Sequence, residues 1–274
     1  MQGVYDTVVL GATFSGLGAA YAGCGRTLVI ERRSNMGYEF IACLNPGSGW
    51  NETRVSDIGG FFKKELYSRG ILSPDGLVHL PALEPLLSRW VKDCSFSVLL
   101  LTEVIKIKKV ENTYEIQIYN SSGFGTIKAC NIVDTLGNPL LQSRVNVGIL
   151  SKSINAMLYG DTTQEPVLNN QQAQILKGKL SGEYILKYPL EIEDNWITAR
   201  KKLHEFWLNR PSELKPWTLA YVANSFDMCA EKGVYQVYDT WNILPCYSFN
   251  NPLEALEVGA KFARERNYCH ADVL

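Results

Sequence analysis

The sequence of 274 residues predicts an α/β protein with a parallel sheet, a small antiparallel meander and a second, α+β unit inserted late in the chain. Three observations carry this prediction. Residues 4–31 read as strand, tight turn, helix and strand, and residues 98–130 alternate between apolar and polar. Residues 141–225 then break the pattern with two strands and an amphipathic helix.

The chain opens with a buried strand. "VYDTVVLGA" is an apolar, β-branched run that ends in glycine, "FSGLGAAYAG" is rich in small residues and helical, and "RTLVIE" is a second buried strand. This order is the first half of a Rossmann-type fold, which binds dinucleotides.

The turn after the first strand carries a modified glycine fingerprint. Gly11 stands where the turn must be tight, and Gly16 where helix and sheet approach closely. Glu31 lies 20 residues after Gly11, where a carboxylate accepts hydrogen bonds from an adenosine ribose. Thr13 replaces the middle glycine, and its hydroxyl can donate to a phosphate oxygen at the helix N-terminus. We therefore expect a modified but working dinucleotide site.

A helix and a run of strands follow this unit. In "LVHLPALEPLLSRWVKDC", apolar residues recur at the spacing of an amphipathic helix: Leu83, Leu86, Leu87, Trp90 and Val91. "SVLLLTEVIKIKKV", "TYEIQIYN" and "GTIKACNIVDTLGN" predict strands separated by turns at residues 111–112 and 121–123.

Together these segments resemble the FAD-binding domain of FAD-dependent oxidoreductases with a glutathione-reductase-like Rossmann fold. The resemblance rests on "GATFSGLGAA…LVIERR", "HLPALEPLLSRWVKD", "VLLLTEV", the meander and "NIVDTLG", and it covers residues 1–44 and 75–140. It implies FAD as the cofactor, with the chain after the second strand running from the ribose toward the flavin ring. The residues that it places at the cofactor are Gly11, Ala12, Thr13, Phe14, Ser15, Gly16, Glu31, Arg32, Arg33, Met36, Gly37, Cys43, Val104, Gly137, Asn251, Pro252 and Leu253.

The segment "LPCYSFNNPLEALEVGAKFARER" resembles the closing part of the same domain. Asn251 can cap a helix, Pro252 suits its first position, and Glu254 completes a capping-box-like pattern. The resemblance implies that the positive end of this helix is directed at the flavin pyrimidine. The alternative is that the helix binds no cofactor and that small residues such as Gly259 serve only its close packing on the sheet.

The resemblance divides the chain into three parts. Residues 1–140 form the first part of the FAD-binding domain, with the meander near 98–130, and residues 226–274 form its closing part. Residues 141–225 are assigned as a substrate or cap domain, because an inserted domain of this kind makes the substrate pocket in flavoproteins that the sequence resembles.

Composition and charge exclude several classes of partner. With 27 basic and 28 acidic side chains, the chain gives no reason to expect a nucleic-acid partner. No run approaches the roughly 18 apolar residues that span a bilayer, and the start carries no signal-peptide pattern. We expect a cytoplasmic protein that acts on a small molecule, alone, as a homo-oligomer or with a partner subunit.

The seven cysteines are scattered, with no C-x-x-C pair and no pattern of zinc ligands, so no metal site is expected. A disulfide reductase resembling glutathione reductase would need a redox pair and a second dinucleotide fingerprint, which disfavours that branch. Cys43 is a weak catalytic candidate, as a thiolate, a proton donor or an attachment point for the flavin. The alternative is a small, buried hydrophobic residue. The catalytic residues are otherwise unassigned.

The leading functional hypothesis is an FAD-dependent oxidoreductase that acts on an unidentified small organic substrate. A dehydrogenase, an oxidase and a monooxygenase all remain open. One alternative is a dinucleotide-binding protein without flavin redox turnover, as in thiazole-synthase-like proteins. The other is a non-catalytic, flavoprotein-like subunit.

Overall fold

The computed structural model describes residues 3–23, 25–137, 145–160, 165–166, 168 and 172–266. Its helices are α1 (Phe14–Ala22), α2 (Asp57–Ser68), α3 (Leu83–Lys92), α4 (Trp196–Leu208) and α5 (Pro252–Glu265). Its strands are β1 (Tyr5–Leu10), β2 (Thr27–Ile30), β3 (Ser97–Leu99), β4 (Glu103–Val110), β5 (Thr113–Asn120), β6 (Gly123–Asp134), β7 (Ile149–Tyr159), β8 (Gln174–Lys177), β9 (Tyr184–Leu190), β10 (Thr218–Val222), β11 (Asp227–Ala230), β12 (Tyr235–Tyr238) and β13 (Trp241–Ile243).

The central sheet is parallel, in the order β3-β2-β1-β6-β13, with β12 antiparallel to β13 at one edge. β2 and the last four residues of β1 are buried and, apart from Thr7 and Thr27, apolar, as is usual for parallel strands that are covered on both faces. The chain passes from β1 to β2 on one side, whereas β6 pairs with β1 on the other side. This reversal is a switch point, which leaves a crevice outside the carboxyl ends of the strands.

Helices cover one face of the central sheet and the meander covers the other. Val9 and Val29 belong to the larger apolar core, together with residues of α1, α2, α3 and α5. Val8 points to the opposite face, where it packs in one cluster with Tyr114 and Ile116 of β5. β6 serves both layers, because its first half pairs with β5 and its second half pairs with β1.

The inserted unit is an antiparallel sheet with α4 on one face. β7 lies between β9 and an edge formed by β10 and β11, and β8 pairs with β9. Ile154 and Ala156 of β7 pack in one core with Ala199 of α4. Asn155 and Met157, which alternate with them along the strand, face the first unit instead.

Two glycines bring α1 and α5 into backbone contact. A Cβ at Gly18 would overlap the carbonyl oxygen of Leu256, and a Cβ at Gly259 would overlap that of Ser15. The small residues of α5 therefore allow a helix-on-helix approach that larger side chains would prevent.

The predicted α/β class, the βαβ opening, the meander and the closing helix are confirmed. The sequence analysis gives no helix at residues 57–68, where the structure has α2. The apolar face of α2 is formed by Ile58, Phe62 and Leu66. Gly59 and Gly60 lie between Ile58 and Phe62, and their low helix propensity weakens the helical pattern in the sequence. The predicted boundary at residues 140 and 141 lies outside the described residues. The inserted sheet continues past residue 225, because β11 pairs with the first half of β7.

Candidate functional site

A cleft of about 230 Å³ opens at the switch point, outside the carboxyl ends of β1, β2 and β6. Pockets for drug-sized ligands hold roughly 300–1,000 Å³, so this cleft fits a small ligand or one part of a larger ligand. Arg32, Arg33, Val104 and Gly137 line it, and Tyr247 contributes a wall from the closing segment.

The glycine turn between β1 and α1 has the tight geometry that its sequence predicts. Gly11 has a φ of +98°, a left-handed value that favours glycine. A Cβ at Gly16 would overlap the carbonyl oxygen of Gly11 and lie 2.8 Å from the hydroxyl of Thr135. Both glycines are therefore required for α1 to approach the end of β6.

Thr13 is the N-cap of α1. Its Oγ1 accepts a hydrogen bond of 2.9 Å from the backbone N–H of Gly16, and its hydroxyl donates to Oγ1 of Thr135 at 2.7 Å. Thr135 in turn donates to the carbonyl oxygen of Leu10. The Thr13 hydroxyl thus joins α1 to the end of β6, and its hydrogen is donated to Thr135 in this structure.

Glu31 closes onto the glycine turn. Its Oε2 accepts from the backbone N–H of Ala12 at 3.0 Å, and its Oε1 accepts from the backbone N–H of Arg33 at 2.9 Å. The Arg33 guanidinium lies 3.7 Å from the same carboxylate and stacks 3.6 Å above the ring centre of Tyr38. The carboxylate is buried directly behind the wall of the cleft that Arg33 forms.

A second carboxylate, Glu39, lies at the first turn of α1. Its Oε1 accepts a hydrogen bond of 2.6 Å from the backbone N–H of Phe14, and the residue is only 3% exposed. Its Oε2 has no hydrogen-bond partner among the described residues. Burial raises the pKa of Glu39 from 4.5 to about 8. The sequence analysis did not identify this residue.

The chain after β2 folds directly over the turn. Gly37 donates its backbone N–H to the carbonyl oxygen of Ala12 at 2.8 Å, and a Cβ at Gly37 would lie 2.6 Å from the ring of Phe14. Cys43 is fully buried, and its thiol donates to the carbonyl oxygen of Glu39 at 2.8 Å. Burial, with the nearby Asp227 carboxylate, raises the pKa of the Cys43 thiol well above its usual value. These features are those of a neutral, structural cysteine.

A polar cluster joins this segment to the inserted sheet. Asp227 accepts from the Asn45 amide at 3.0 Å and from the Asn155 amide at 3.1 Å, and it pairs with the Lys187 ammonium group at 2.7 Å. Asn155 also donates to the carbonyl oxygen of Cys43. The two units are therefore held together not only by apolar contact but also by hydrogen bonds, which connect buried Asp227 and Asn155 of the inserted sheet to the segment after β2.

The N-terminus of α5 is capped as predicted. Asn251 Oδ1 accepts from the backbone N–H of Glu254 at 2.9 Å, and Pro252 occupies the first turn. The Glu254 carboxylate accepts a hydrogen bond from the backbone N–H of Asn250 rather than from that of Asn251, so the arrangement is shifted by one residue from a capping box. The Asn251 amide also donates to the carbonyl oxygen of Ser48, which fixes the loop after the buried segment to α5.

The residues expected at the cofactor fall into two groups. Arg32, Arg33, Val104 and Gly137 line the cleft. The remainder are buried in the glycine turn, in the segment over it or at the start of α5: Gly11, Ala12, Thr13, Phe14, Ser15, Gly16, Glu31, Met36, Gly37, Cys43, Asn251, Pro252 and Leu253.

Solved structures similar to this chain include several oxidoreductases. The p-nitrophenol 4-monooxygenase PnpA of Pseudomonas putida is 12% identical, with a TM-score of 0.58, 96% of this chain and 78% of that chain covered. Aklavinone-11 hydroxylase, solved with FAD and aklavinone, is 16% identical, with a TM-score of 0.58, 96% of this chain and 62% of that chain covered. Glycine oxidase of Geobacillus kaustophilus is 14% identical, with a TM-score of 0.61, 94% of this chain and 93% of that chain covered.

At these identities the similarity shows the fold alone, and this chain has the α/β fold of these enzymes. The chain spans about three fifths of the length of the aklavinone hydroxylase. No protein-family model matches the chain, and no curated protein is detectably similar to it in sequence. Within the described part of the chain, no helix has both the length and the apolar character needed to cross a bilayer.

FAD fits one end of this site better than the other. The cleft beside Val104 and Gly137 is open, with Arg32 and Arg33 available for anionic groups. At the first turn of α1, where a dinucleotide fold binds the diphosphate, the Phe14 N–H already donates to Glu39. The cleft would accommodate the adenosine half of FAD, whereas the N–H that would bind the diphosphate is occupied by the Glu39 carboxylate.

Proposed function

We propose that the chain is an FAD-dependent oxidoreductase that acts on a small organic substrate. The single observation that carries this proposal is the cleft at the switch point of a sheet with the flavoprotein fold. Similarity to monooxygenases and an oxidase over at least 94% of the chain supports flavin chemistry rather than another use of the fold.

In this proposal the cleft holds the adenosine part of FAD. Val104, at the start of the meander, borders the adenine, and Gly137 lines the cleft where its missing Cβ admits the ring of Tyr247. Arg32 and Arg33 supply positive charge beside the cleft, while Glu31 holds the Arg33 guanidinium and the glycine turn in place. When bound, FAD supplies the acceptor or donor of a hydride or of electrons, and the protein orients it and shields it from water.

The inserted sheet is assigned to substrate binding. Phe226, in the β10–β11 connection, and Met228, in β11, line the same cleft, and Asp227 between them anchors the sheet to the first unit. A rigid attachment of this kind keeps a substrate-contacting surface at a fixed distance from the cofactor.

Filling the cleft tests the proposal. Val104→Trp places a large ring where the adenine is assigned, and we expect the affinity for FAD, measured by quenching of flavin fluorescence, to fall at least tenfold. Ile105→Trp is the matched control, because Ile105 is 53% exposed and does not line the cleft, so this change should leave affinity unchanged. Equal affinity in wild type and Val104→Trp would contradict the assignment of the cleft.

The colour of the purified protein separates this proposal from the alternatives. A flavoenzyme retains or takes up FAD and absorbs in the visible range. A colourless protein that binds adenine dinucleotides but not flavin would favour the thiazole-synthase-like alternative. A folded protein that binds neither would favour a non-catalytic subunit.

A further inference from the structure

The carboxylate of Glu39 occupies the most favourable anion position in the first unit. The N-terminus of a helix presents unpaired N–H groups and a partial positive charge, and for this reason it binds phosphates and carboxylates. In α1, the N–H of Phe14 donates to Glu39 Oε1 at 2.6 Å, while the N–H of Gly16 donates to the Thr13 cap. The protein has thus placed its own acid where the glycine fingerprint directs a diphosphate.

Glu39 is incompletely satisfied in this position. The residue is 3% exposed, and its second oxygen, Oε2, lies buried without a partner among the described residues. A buried carboxylate oxygen without a hydrogen bond costs free energy, so this arrangement is less stable than one in which the acid is solvated. A ligand that replaces Glu39 at Phe14 therefore removes an unfavourable burial as it binds.

The segment that carries Glu39 is hydrogen-bonded to the glycine turn and to the end of the β6 connection. Gly37 N–H donates to the carbonyl oxygen of Ala12, and the Tyr38 hydroxyl accepts from the backbone N–H of Gly137. Both Tyr38 and Gly137 line the cleft, so a ligand in the cleft contacts the same residues that hold the segment. The cleft and the Glu39 position are therefore adjacent parts of one site.

We propose that Glu39 is an internal substitute for the diphosphate, and that a dinucleotide binds fully only when Glu39 moves away from the N–H of Phe14. This inference rests on the proposed function, and it adds an affinity-determining residue to the same site. Glu39 and the diphosphate compete for one N–H, and they repel each other when Glu39 is ionised. The neutral acid gives way more easily and can donate a hydrogen bond to a phosphate oxygen.

The charges around Glu39 decide the pH at which this competition appears. Burial raises its pKa to about 8; the Phe14 N–H lowers it, the Glu31 carboxylate at the end of β2 raises it, and the Arg33 guanidinium lowers it. Burial also raises the pKa of the nearby groups and holds them neutral: Tyr38 and Cys43 on the same segment, and Cys246 and Tyr247 on the closing segment. Glu39 therefore ionises between pH 7 and pH 9, a range in which the diphosphate of FAD keeps its full charge.

The test is the affinity of the full chain for FAD at pH 7 and at pH 9. If only the neutral form of Glu39 permits tight binding, wild type should bind about tenfold more weakly at pH 9, because the neutral fraction falls about tenfold per pH unit above the pKa. Glu39→Gln should have the same affinity at both pH values and should bind more tightly than wild type at pH 9. Glu193→Gln is the control, since it removes an exposed acid outside the cleft and should keep the wild-type affinity and pH dependence.

Wild-type affinity that does not change with pH would overturn the inference, as would a wild-type pH dependence retained by Glu39→Gln. If Glu39→Gln fails to fold by circular dichroism, Glu39→Met provides a second neutral side chain of similar length with the same expected result. Inorganic diphosphate separates this inference from the proposed function. If the protein binds diphosphate with the Glu39-dependent pH profile but does not bind FAD, the inference stands and the proposed flavoenzyme function is refuted. If the folded protein binds neither ligand, both are refuted.

Discussion

The close approach of α1 and α5 gives a stability prediction with a matched control. A Cβ at Gly259 would overlap the carbonyl oxygen of Ser15 and lie 2.7 Å from its carbonyl carbon. Backbone atoms inside a helix cannot rotate away, so Gly259→Ala must separate the two helices. Overpacking costs about 3 kcal/mol at the upper end of its usual range, and alanine returns about 1 kcal/mol through its better helix propensity. We expect the free energy of unfolding to fall by about 2 kcal/mol.

Gly60→Ala in α2 is the control. The nearest atom to a Cβ at Gly60 is Cγ2 of Val55, at 3.9 Å, so alanine fits there without displacement. This variant should gain up to about 1 kcal/mol from helix propensity alone. Urea unfolding followed by circular dichroism measures both values. If Gly259→Ala were as stable as Gly60→Ala, with the same dependence on urea, α1 and α5 could not be in backbone contact.

Three further predictions concern the polar groups around the site. Thr13→Val keeps the shape but removes the three hydrogen bonds of the Thr13 hydroxyl, with Gly16, Thr135 and Ser15, and should cost about 2 kcal/mol in urea unfolding. No loss would mean that Thr13 does not cap α1. Asp227→Ala leaves the Lys187 ammonium group without its partner and should lower the free energy of unfolding by about 2–3 kcal/mol in the same assay. A decrease of less than about 0.5 kcal/mol would show that Asp227 does not stabilise the fold in this way. Between pH 4.5 and about 8 the folded protein holds a proton on Glu39 that the unfolded chain has lost, so the free energy of unfolding should fall as pH rises through this window. Glu39→Gln should lack that slope, and parallel pH curves for wild type and variant would contradict the raised pKa.

The parts of the fold set by local patterns are predicted from the sequence. Gly11 and Gly16 mark the turn because each position requires a residue without a Cβ, and this requirement is visible in sequence spacing. Asn251 and Pro252 mark the start of α5 for the same kind of local reason. The meander is visible because alternation along a strand directly reflects burial of one face.

The contacts that determine which groups are hydrogen-bonded in the site join residues far apart in the sequence. Glu39 meets Phe14 across 25 positions of sequence, and Asn45 meets Asp227 across 182. A single acid in "MGYEFIAC" carries no periodic or spacing signal, so its place at the end of α1 depends on how the segment packs. Thr13 likewise has two chemically valid partners, a phosphate or Thr135, and only the tertiary structure selects between them.

A crystal structure of the chain grown with FAD near pH 6.5 tests the central claim most directly. The account predicts the adenine beside Val104, the diphosphate on the N–H of Phe14, and the Glu39 side chain turned away from that N–H. A structure in which FAD is absent from the cleft, or in which FAD is bound while Glu39 still accepts from Phe14, would contradict it.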